Sequence, residues 1–479
     1  MTGTKAQIAD RPTVAIIGGG LSGAAVAWHL ARLTPAPRIV VIEPRAELGQ
    51  GLAYGTPDPA HKLNVPAQRM TLDTSDPLHF QRWLSSSKGP FLPAGSATLA
   101  GDIFAPRQVF GRYIAHHLRP FLDAGRIEHL RTHAQAARRE GERYRITLAT
   151  GEELRADRLV LAVSHPEPSV PRGLRALTAE TGLIRDPYAP DALAGIAPDE
   201  DVLIVGTGLT GADIVASLQE RGHRGRIHLL SRHGRFSQPH GPVQDETGAD
   251  FTVAPERTAL GLLRRVRRAL AVDAEGGLTW HAVFDRLRTQ APAIWAALPQ
   301  GERRRLLRHL RGLWDIHRFR IAPQTHDTLL RAIATRRVEP IAGAITDATV
   351  APEGIALDLH LRGGGERRLT VDRVVLATGP AHAAAFEVTP VLASLEAGGT
   401  IRRDPLGLGI LTTTEGNAID ATGAAQATLL IAGPLARGAV GELMGVPEIT
   451  ARAEGIARKL ARSLPDAEAP LVAPDRATA

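Results

Sequence analysis

Thr13-Val14-Ala15-Ile16-Ile17-Gly18-Gly19-Gly20-Leu21-Ser22-Gly23-Ala24 decides the fold of this chain. Thr13 to Ile17, apolar and β-branched, reads as a buried strand that the glycines cut off sharply. A helix follows to about Leu33, stopped by Pro35 and Pro37, and Arg38 to Ile42 reads as a second strand. Glycine turns are common, so specificity comes from the strand before, the helix after and an acidic residue about 20 positions on. Glu43 fills that position. Gly18 allows the tight turn, Gly20 lets backbone approach a pyrophosphate, and Gly23 lets helix and strand pack closely. The helix N-terminus favours the anion, and Glu43 can accept hydrogen bonds from a ribose hydroxyl. Gly18, Gly20, Ser22, Gly23 and Glu43 thus make a candidate dinucleotide site.

The same grammar recurs at Val202-Leu203-Ile204-Val205-Gly206-Thr207-Gly208-Leu209-Thr210-Gly211-Ala212, with a helix to Gln219 and a strand from Ile227 to Leu230. Both copies share Gly-x-Gly-Leu-[Ser/Thr]-Gly-Ala, which marks a duplicated fold unit. The second copy ends on Ser231-Arg232 where the first has Glu43. A carboxylate repels a 2′-phosphate and an arginine attracts one. The first site therefore suits FAD, and the second, with Gly206, Gly208, Thr210, Gly211 and Arg232, suits a nicotinamide dinucleotide, NADPH before NADH. Val374 to Gly379 and Leu159 to Val163 each end a strand where the chain would cross between two such domains. The first carries Ala377-Thr378-Gly379, and Leu161-Ala162-Val163-Ser164-His165-Pro166 is a degenerate version. Gly379 joins the candidate cofactor-binding residues, as does Gly433 in a glycine turn after the strand Leu429 to Ala432.

The expected fold class is α/β, with two Rossmann-like dinucleotide-binding domains, the second inserted in the first, and a helical insertion. The expected boundaries are 10–195 for the first part of the FAD domain, 196–370 for the NAD(P) domain with its helical insertion at about 255–335, and 371–464 for the second FAD part. A Pro/Ala-rich tail, 465–479, is expected to be disordered.

Composition narrows the chemistry. Cysteine is absent, which removes disulfides, thiolate metal sites, cysteine nucleophiles and the dithiol relay of disulfide reductases. The net charge is +7, but the densest basic runs, Arg264 to Arg268 and Arg303 to Arg311, interleave with leucines at helical spacing. They read as solvated helix faces, and no nucleic-acid partner is expected. Apolar runs fall short of the ~20 residues that cross a bilayer, so the expectation is no membrane and a cytoplasmic protein. No His/Asp/Glu cluster has metal-ligand spacing and no Gly-x-Ser-x-Gly elbow appears. His61, His165, His233 and His240 lie nearest the cofactor motifs without an assigned role. Arg437 and Glu442 follow the Gly433 turn and either line the flavin ring or form a salt bridge.

Several segments carry a closer resemblance: Gly49-Gln50-Gly51-Leu52-Ala53-Tyr54-Gly55-Thr56, His61-Lys62-Leu63-Asn64-Val65-Pro66-Ala67, Phe104-Ala105-Pro106-Arg107, Phe110-Gly111-Arg112-Tyr113, Gly222-His223-Arg224-Gly225 and Gly433-Pro434-Leu435-Ala436-Arg437-Gly438 with Pro447-Glu448-Ile449. The chain resembles the FAD/NAD(P)-binding family with a YdhS-type N-terminal domain. That resemblance implies that Tyr54 and Asn64 lie beside the flavin, and it brings urate hydroxylation in as one candidate activity. The expected function is an NAD(P)H-using flavin monooxygenase acting through a C4a-hydroperoxyflavin on a small molecule, with O2 as co-substrate. The alternatives are an NAD(P)H-dependent flavoprotein reductase or dehydrogenase, and a non-catalytic redox sensor. The sequence assigns neither catalytic residues nor an oligomeric state.

Overall fold

The computed structural model describes residues 11–86, 89–163, 166–381 and 384–464. The expected disordered tail at 465–479 and the pair Ser164-His165 lie outside the described residues.

Strand β1 (Thr13–Ile17), helix α1 (Leu21–Ala31) and strand β2 (Arg38–Ile42) form the opening βαβ unit. Alternation sorts the side chains of β1. Val14 and Ile16 enter a core with α1, helix α2 (Arg107–Asp123) and the final helix, whereas Ala15 and Ile17 enter a core on the opposite face. Strand β3 (Ile127–Leu130) extends the sheet, and β4 (Ala134–Glu140), β5 (Arg143–Leu148) and β6 (Glu153–Ala156) form a separate antiparallel meander. β7 (Arg158–Leu161) then returns to pair in parallel with β1.

The second unit has β8 (Leu183–Ile184), β9 (Val202–Val205), helix α3 (Leu209–Glu220) and β10 (Ile227–Ser231). Next come helices α4 (Ala259–Glu275), α5 (Trp280–Ala297), α6 (Gln300–His309), α7 (Arg311–Arg318) and α8 (Pro323–Ala334). Strands β11 (Val338–Ala351), β12 (Gly354–Leu361), β13 (Glu366–Val371) and β14 (Arg373–Leu376) complete a seven-stranded sheet ordered β13-β12-β11-β10-β9-β14-β8. β14 pairs with β9, so this sheet runs past the boundary expected at 370, and β8 brings residues before 196 into it.

The chain then goes back to the first sheet. β15 (Asn417–Ile419) and β16 (Ala425–Ile431) give the order β15-β16-β7-β1-β2-β3. Helix α9 (Val446–Ser463) packs on α1 and closes the first core. One sheet thus holds the first and last thirds of the chain, and the other holds the middle. Helices α4 to α6 enclose a small core of their own around Leu262, Val283, Leu287 and Ile294.

Candidate functional site

Both glycine turns are built alike. Gly18 has φ +100° and Gly206 φ +127°, a region costly for any residue with a Cβ. A Cβ on Gly18 would collide with the carbonyl of Ala162, and one on Gly206 with that of Ala377. Each first glycine is therefore pressed against the strand end that leads out of its sheet. Gly23 and Gly211 are packed against the carbonyls of Gly18 and Gly206, which fixes each helix to its turn. The middle glycines differ. A Cβ on Gly20 would have only the Gly51 Cα near it, at 3.5 Å, and one on Gly208 would meet nothing within 4 Å. These are the positions where a pyrophosphate needs bare backbone, so the chain fits a dinucleotide at both turns.

Around the first turn, the Gly19 N–H donates to Glu43 Oε2 at 2.8 Å, and the Arg45 N–H donates to Oε1 at 3.1 Å. The Glu43 side chain is 5% exposed, and a carboxylate with these donors still has lone pairs for a ribose hydroxyl. Gly49 N–H donates to the Gly19 carbonyl at 2.7 Å, so the segment carrying Tyr54 lies over the same turn. Tyr54 meets Phe110 edge-on at 4.9 Å, and burial pushes its hydroxyl up to about 12. Gly433 packs against Ser22 so closely that a Cβ would overlap the Ser22 hydroxyl, which joins the returning chain to the start of α1.

At the second turn, Thr207 Oγ1 donates to Ser231 Oγ at 2.9 Å, and Arg232 is exposed beside it. Arg235 and Arg362 join Arg232 around His233, whose pKa is lowered by burial and then by these three cations. Arg235 and Arg362 were missed in the sequence, because one stands outside the fingerprint and the other comes from a distant hairpin. The Thr210 hydroxyl lies 3.2 Å from that of Tyr188.

A buried polar network joins the two units beneath the turns. Arg107 donates to Asp213 Oδ2 at 2.6 Å and to the Tyr188 hydroxyl at 3.1 Å, and Tyr188 donates to Asp213 at 2.9 Å. Burial alone would lower Arg107, but the Asp213 carboxylate outweighs it and holds the guanidinium above its ordinary range. His61 bridges Thr56 Oγ1 at 2.7 Å and Ser217 Oγ at 3.0 Å; burial lowers its pKa and keeps the ring neutral. Asn64 lies on the segment that runs from the first turn toward the second unit. Its carbonyl accepts from His240 Nε2 at 3.0 Å, and it borders a small pocket with His317 and Arg318. Burial pulls His240 down to about 4.

A cavity of about 1210 Å³ opens from the second turn. Gly206, Gly208, Thr210, Arg232 and Gly379 line it, together with side chains of helices α4 to α7 and with Arg437 and Glu442. A single drug-sized ligand needs roughly 300–1,000 Å³, so there is room for a nicotinamide dinucleotide and a second molecule. The two residues left open in the sequence part ways. Glu442 pairs with Arg318 at 3.4 Å, whereas Arg437 makes no salt bridge among the described residues. No group of three or more His, Cys, Asp or Glu side chains among the described residues could hold a metal, and no described helix is long and apolar enough to cross a membrane.

Residues 15–166 match the family model described as FAD-NAD(P)-binding, and residues 98–245 match that of L-lysine 6-monooxygenase/L-ornithine 5-monooxygenase. No curated protein sequence matches the chain. Among solved structures, L-lysine 6-monooxygenase from Pseudomonas syringae superposes with a TM-score of 0.63 at 18% identity, covering 94% of this chain and 99% of that one. An ornithine N-hydroxylase from Kutzneria sp. 744, with reduced FAD, NADP+ and L-ornithine, gives 0.64 at 14%, covering 94% and 98%. Thioredoxin reductase from Lactococcus lactis gives 0.51 at 10%, covering 95% and 98%. The fold is thus the two-dinucleotide flavoprotein fold, and the chain carries an FAD-NAD(P)-binding unit overlapped by a lysine/ornithine monooxygenase-like segment.

Proposed function

We propose that this chain is an FAD-dependent monooxygenase that draws electrons from NAD(P)H and oxygenates a small molecule. The observation that carries it is the cavity, which joins the nicotinamide turn to a largely apolar chamber large enough for a second ligand. The match of residues 98–245 to a monooxygenase family model supports it. Bound FAD would supply the redox and oxygen chemistry, with one oxygen atom passing to the substrate and the other leaving as water.

The chain's own residues bind, orient and exclude water. The bare backbone at Gly20 and Gly208 receives the two pyrophosphates, with the N-termini of α1 and α3 behind them. Glu43 holds a ribose hydroxyl, and Arg232 with Arg235 and Arg362 favours a 2′-phosphate, hence NADPH over NADH. The Arg107–Asp213–Tyr188 network sets the distance between the two turns. Apolar side chains of helices α4 to α7 line the chamber, and an apolar lining disfavours water beside reactive oxygen species.

The family resemblance supports a YdhS-type N-terminal domain and brings urate or a related purine into the substrate panel, with amines added because of the lysine- and ornithine-oxidising neighbours. Thioredoxin reductase shares the fold, but a chain without cysteine cannot relay its electrons through a disulfide of its own. Measuring hydrogen peroxide released per NADPH oxidised by the FAD-loaded protein separates the functions. A monooxygenase releases less peroxide when its substrate is present, and a reductase passes electrons to quinones or dyes with no such coupling.

A further inference from the structure

Arg437 is buried, 6% exposed, at the start of a short helix, Arg437–Val440. The helical insertion fixes that segment. Trp295 Nε1 donates to the Gly438 carbonyl at 2.8 Å, and a Cβ on Gly441 would overlap the Trp295 ring. Yet the guanidinium itself is poorly served. Its only direct partner among the described residues is the Met444 sulfur at 3.6 Å, a weak acceptor, and Nε has none. The neighbouring acids are committed elsewhere. Glu442 takes Arg318 and the Trp314 N–H, Asp315 takes Arg311, and Asp404 accepts the N–H groups of Leu406 and Leu408. Burial, followed by Arg311, pulls Arg437 down to about 10. A buried guanidinium without an acceptor is costly, and an anion would relieve that cost.

Three anions could come to this cation. The FAD pyrophosphate is the weakest candidate, because the first fingerprint that would hold it contributes no residue to the cavity that Arg437 faces, and the flavin ring that must reach the substrate is not the anionic part of the molecule. The nicotinamide dinucleotide has the N-terminus of α3 for its pyrophosphate and Arg232 with Arg235 for a 2′-phosphate. That leaves the second ligand. Beside Arg437 the lining carries Arg311, Asp315, His317 and Glu442, but its largest share is hydrocarbon: Leu263, Val266, Leu270, Leu306, Leu307 and Leu310 all line the void and are each only partly buried. Interiors ordinarily close over such side chains.

Resting on the monooxygenase function proposed above, we propose that the substrate is an apolar carboxylic acid, its carboxylate held by Arg437 and its hydrocarbon body lodged among these leucines. A free amino acid such as lysine or ornithine would offer Arg437 a carboxylate too, but it would set a charged side chain, not a hydrocarbon one, among these leucines.

Calorimetric titration of the FAD-loaded protein with NADP+ present tests this without turnover, with decanoate, decanol, decylamine and lysine as probes. Decanoate is expected to bind about tenfold or more tighter than decanol, the effect of a charge-assisted pair, with decylamine and lysine weaker still. Affinity should rise by up to about fourfold per methylene from hexanoate to decanoate. Arg437→Gln should bring decanoate to the level of decanol, with FAD content and NADP+ affinity retained. The assignment is overturned if wild-type protein binds decylamine or lysine as tightly as decanoate, a result that needs no variant. It is also overturned if Arg437→Gln loses FAD or NADP+ while keeping its carboxylate preference. Arg437-dependent decanoate binding with no oxygen transfer would sustain the assignment and count against the monooxygenase function.

Discussion

Removing the Asp213 carboxylate strips a buried cation of its only charged partner among the described residues. Arg107 and Asp213 meet at 2.6 Å with side chains 13% and 5% exposed, so neither can turn to water when the other is lost. Asp213→Ala leaves the guanidinium with Tyr188, the Lys62 carbonyl at 3.1 Å and no charge to balance it. Breaking such a pair from one side costs about 3–5 kcal/mol, while replacing both partners with apolar residues of similar size is often neutral. For units of this size that is a fall of about 6 °C or more in the unfolding midpoint. Arg107→Met should lose a comparable amount, and the double variant Arg107→Met/Asp213→Leu should recover most of it. Thermal unfolding of the four FAD-loaded proteins, followed by flavin fluorescence, completes the cycle. A single-variant loss below about 1 kcal/mol, or a double variant no better than the singles, would refute the network as the clamp between the two units.

Gly208→Ala should fold, keep FAD and weaken NADPH by about tenfold, because only the nucleotide would need that space, whereas Gly18→Ala should fail to yield FAD-loaded protein because its Cβ meets the Ala162 carbonyl at a positive φ. Arg232→Ala should lower kcat/KM for NADPH by about 10–100-fold with NADH little changed, the loss of one charge-assisted phosphate contact; an equal loss with both nucleotides would contradict the 2′-phosphate role. His240 carries a pH signature: its folded pKa is about 4 against 6.5 unperturbed, so the unfolded chain takes up a proton first as the pH falls. Stability from this group is full above about pH 6.5 and declines toward pH 4, and His240→Gln should flatten urea-unfolding curves over that window.

The fold was legible where the constraint is local. Thr13–Ile17 and Arg38–Ile42 form the strands their apolar runs foretell, and α4 to α8 fill the stretch at about 255–335 expected to be helical. Ile127–Leu130 and Ala134–Glu140 went unread because their residues are polar, alanine-rich and half-exposed, and pairing with neighbours supplies what propensity does not. The glycine turns were legible for the same local reason, since tight geometry admits few residues. The clamp was not, because Arg107 and Asp213 lie 106 residues apart and only the fold brings them together. Arg437 was visible as a choice between flavin and salt bridge, and its isolation from every nearby carboxylate appears only in three dimensions.

The central claim, oxygen transfer driven by NAD(P)H, is tested most directly by isotope. The FAD-loaded protein is supplied with NADPH and 18O2 and offered apolar carboxylates, amines and purines including urate, and the products are weighed by mass spectrometry. One 18O atom per product molecule, matched to one NADPH consumed, is the predicted result. NADPH oxidation that reduces quinones or dyes while no compound of the panel gains 18O would contradict it.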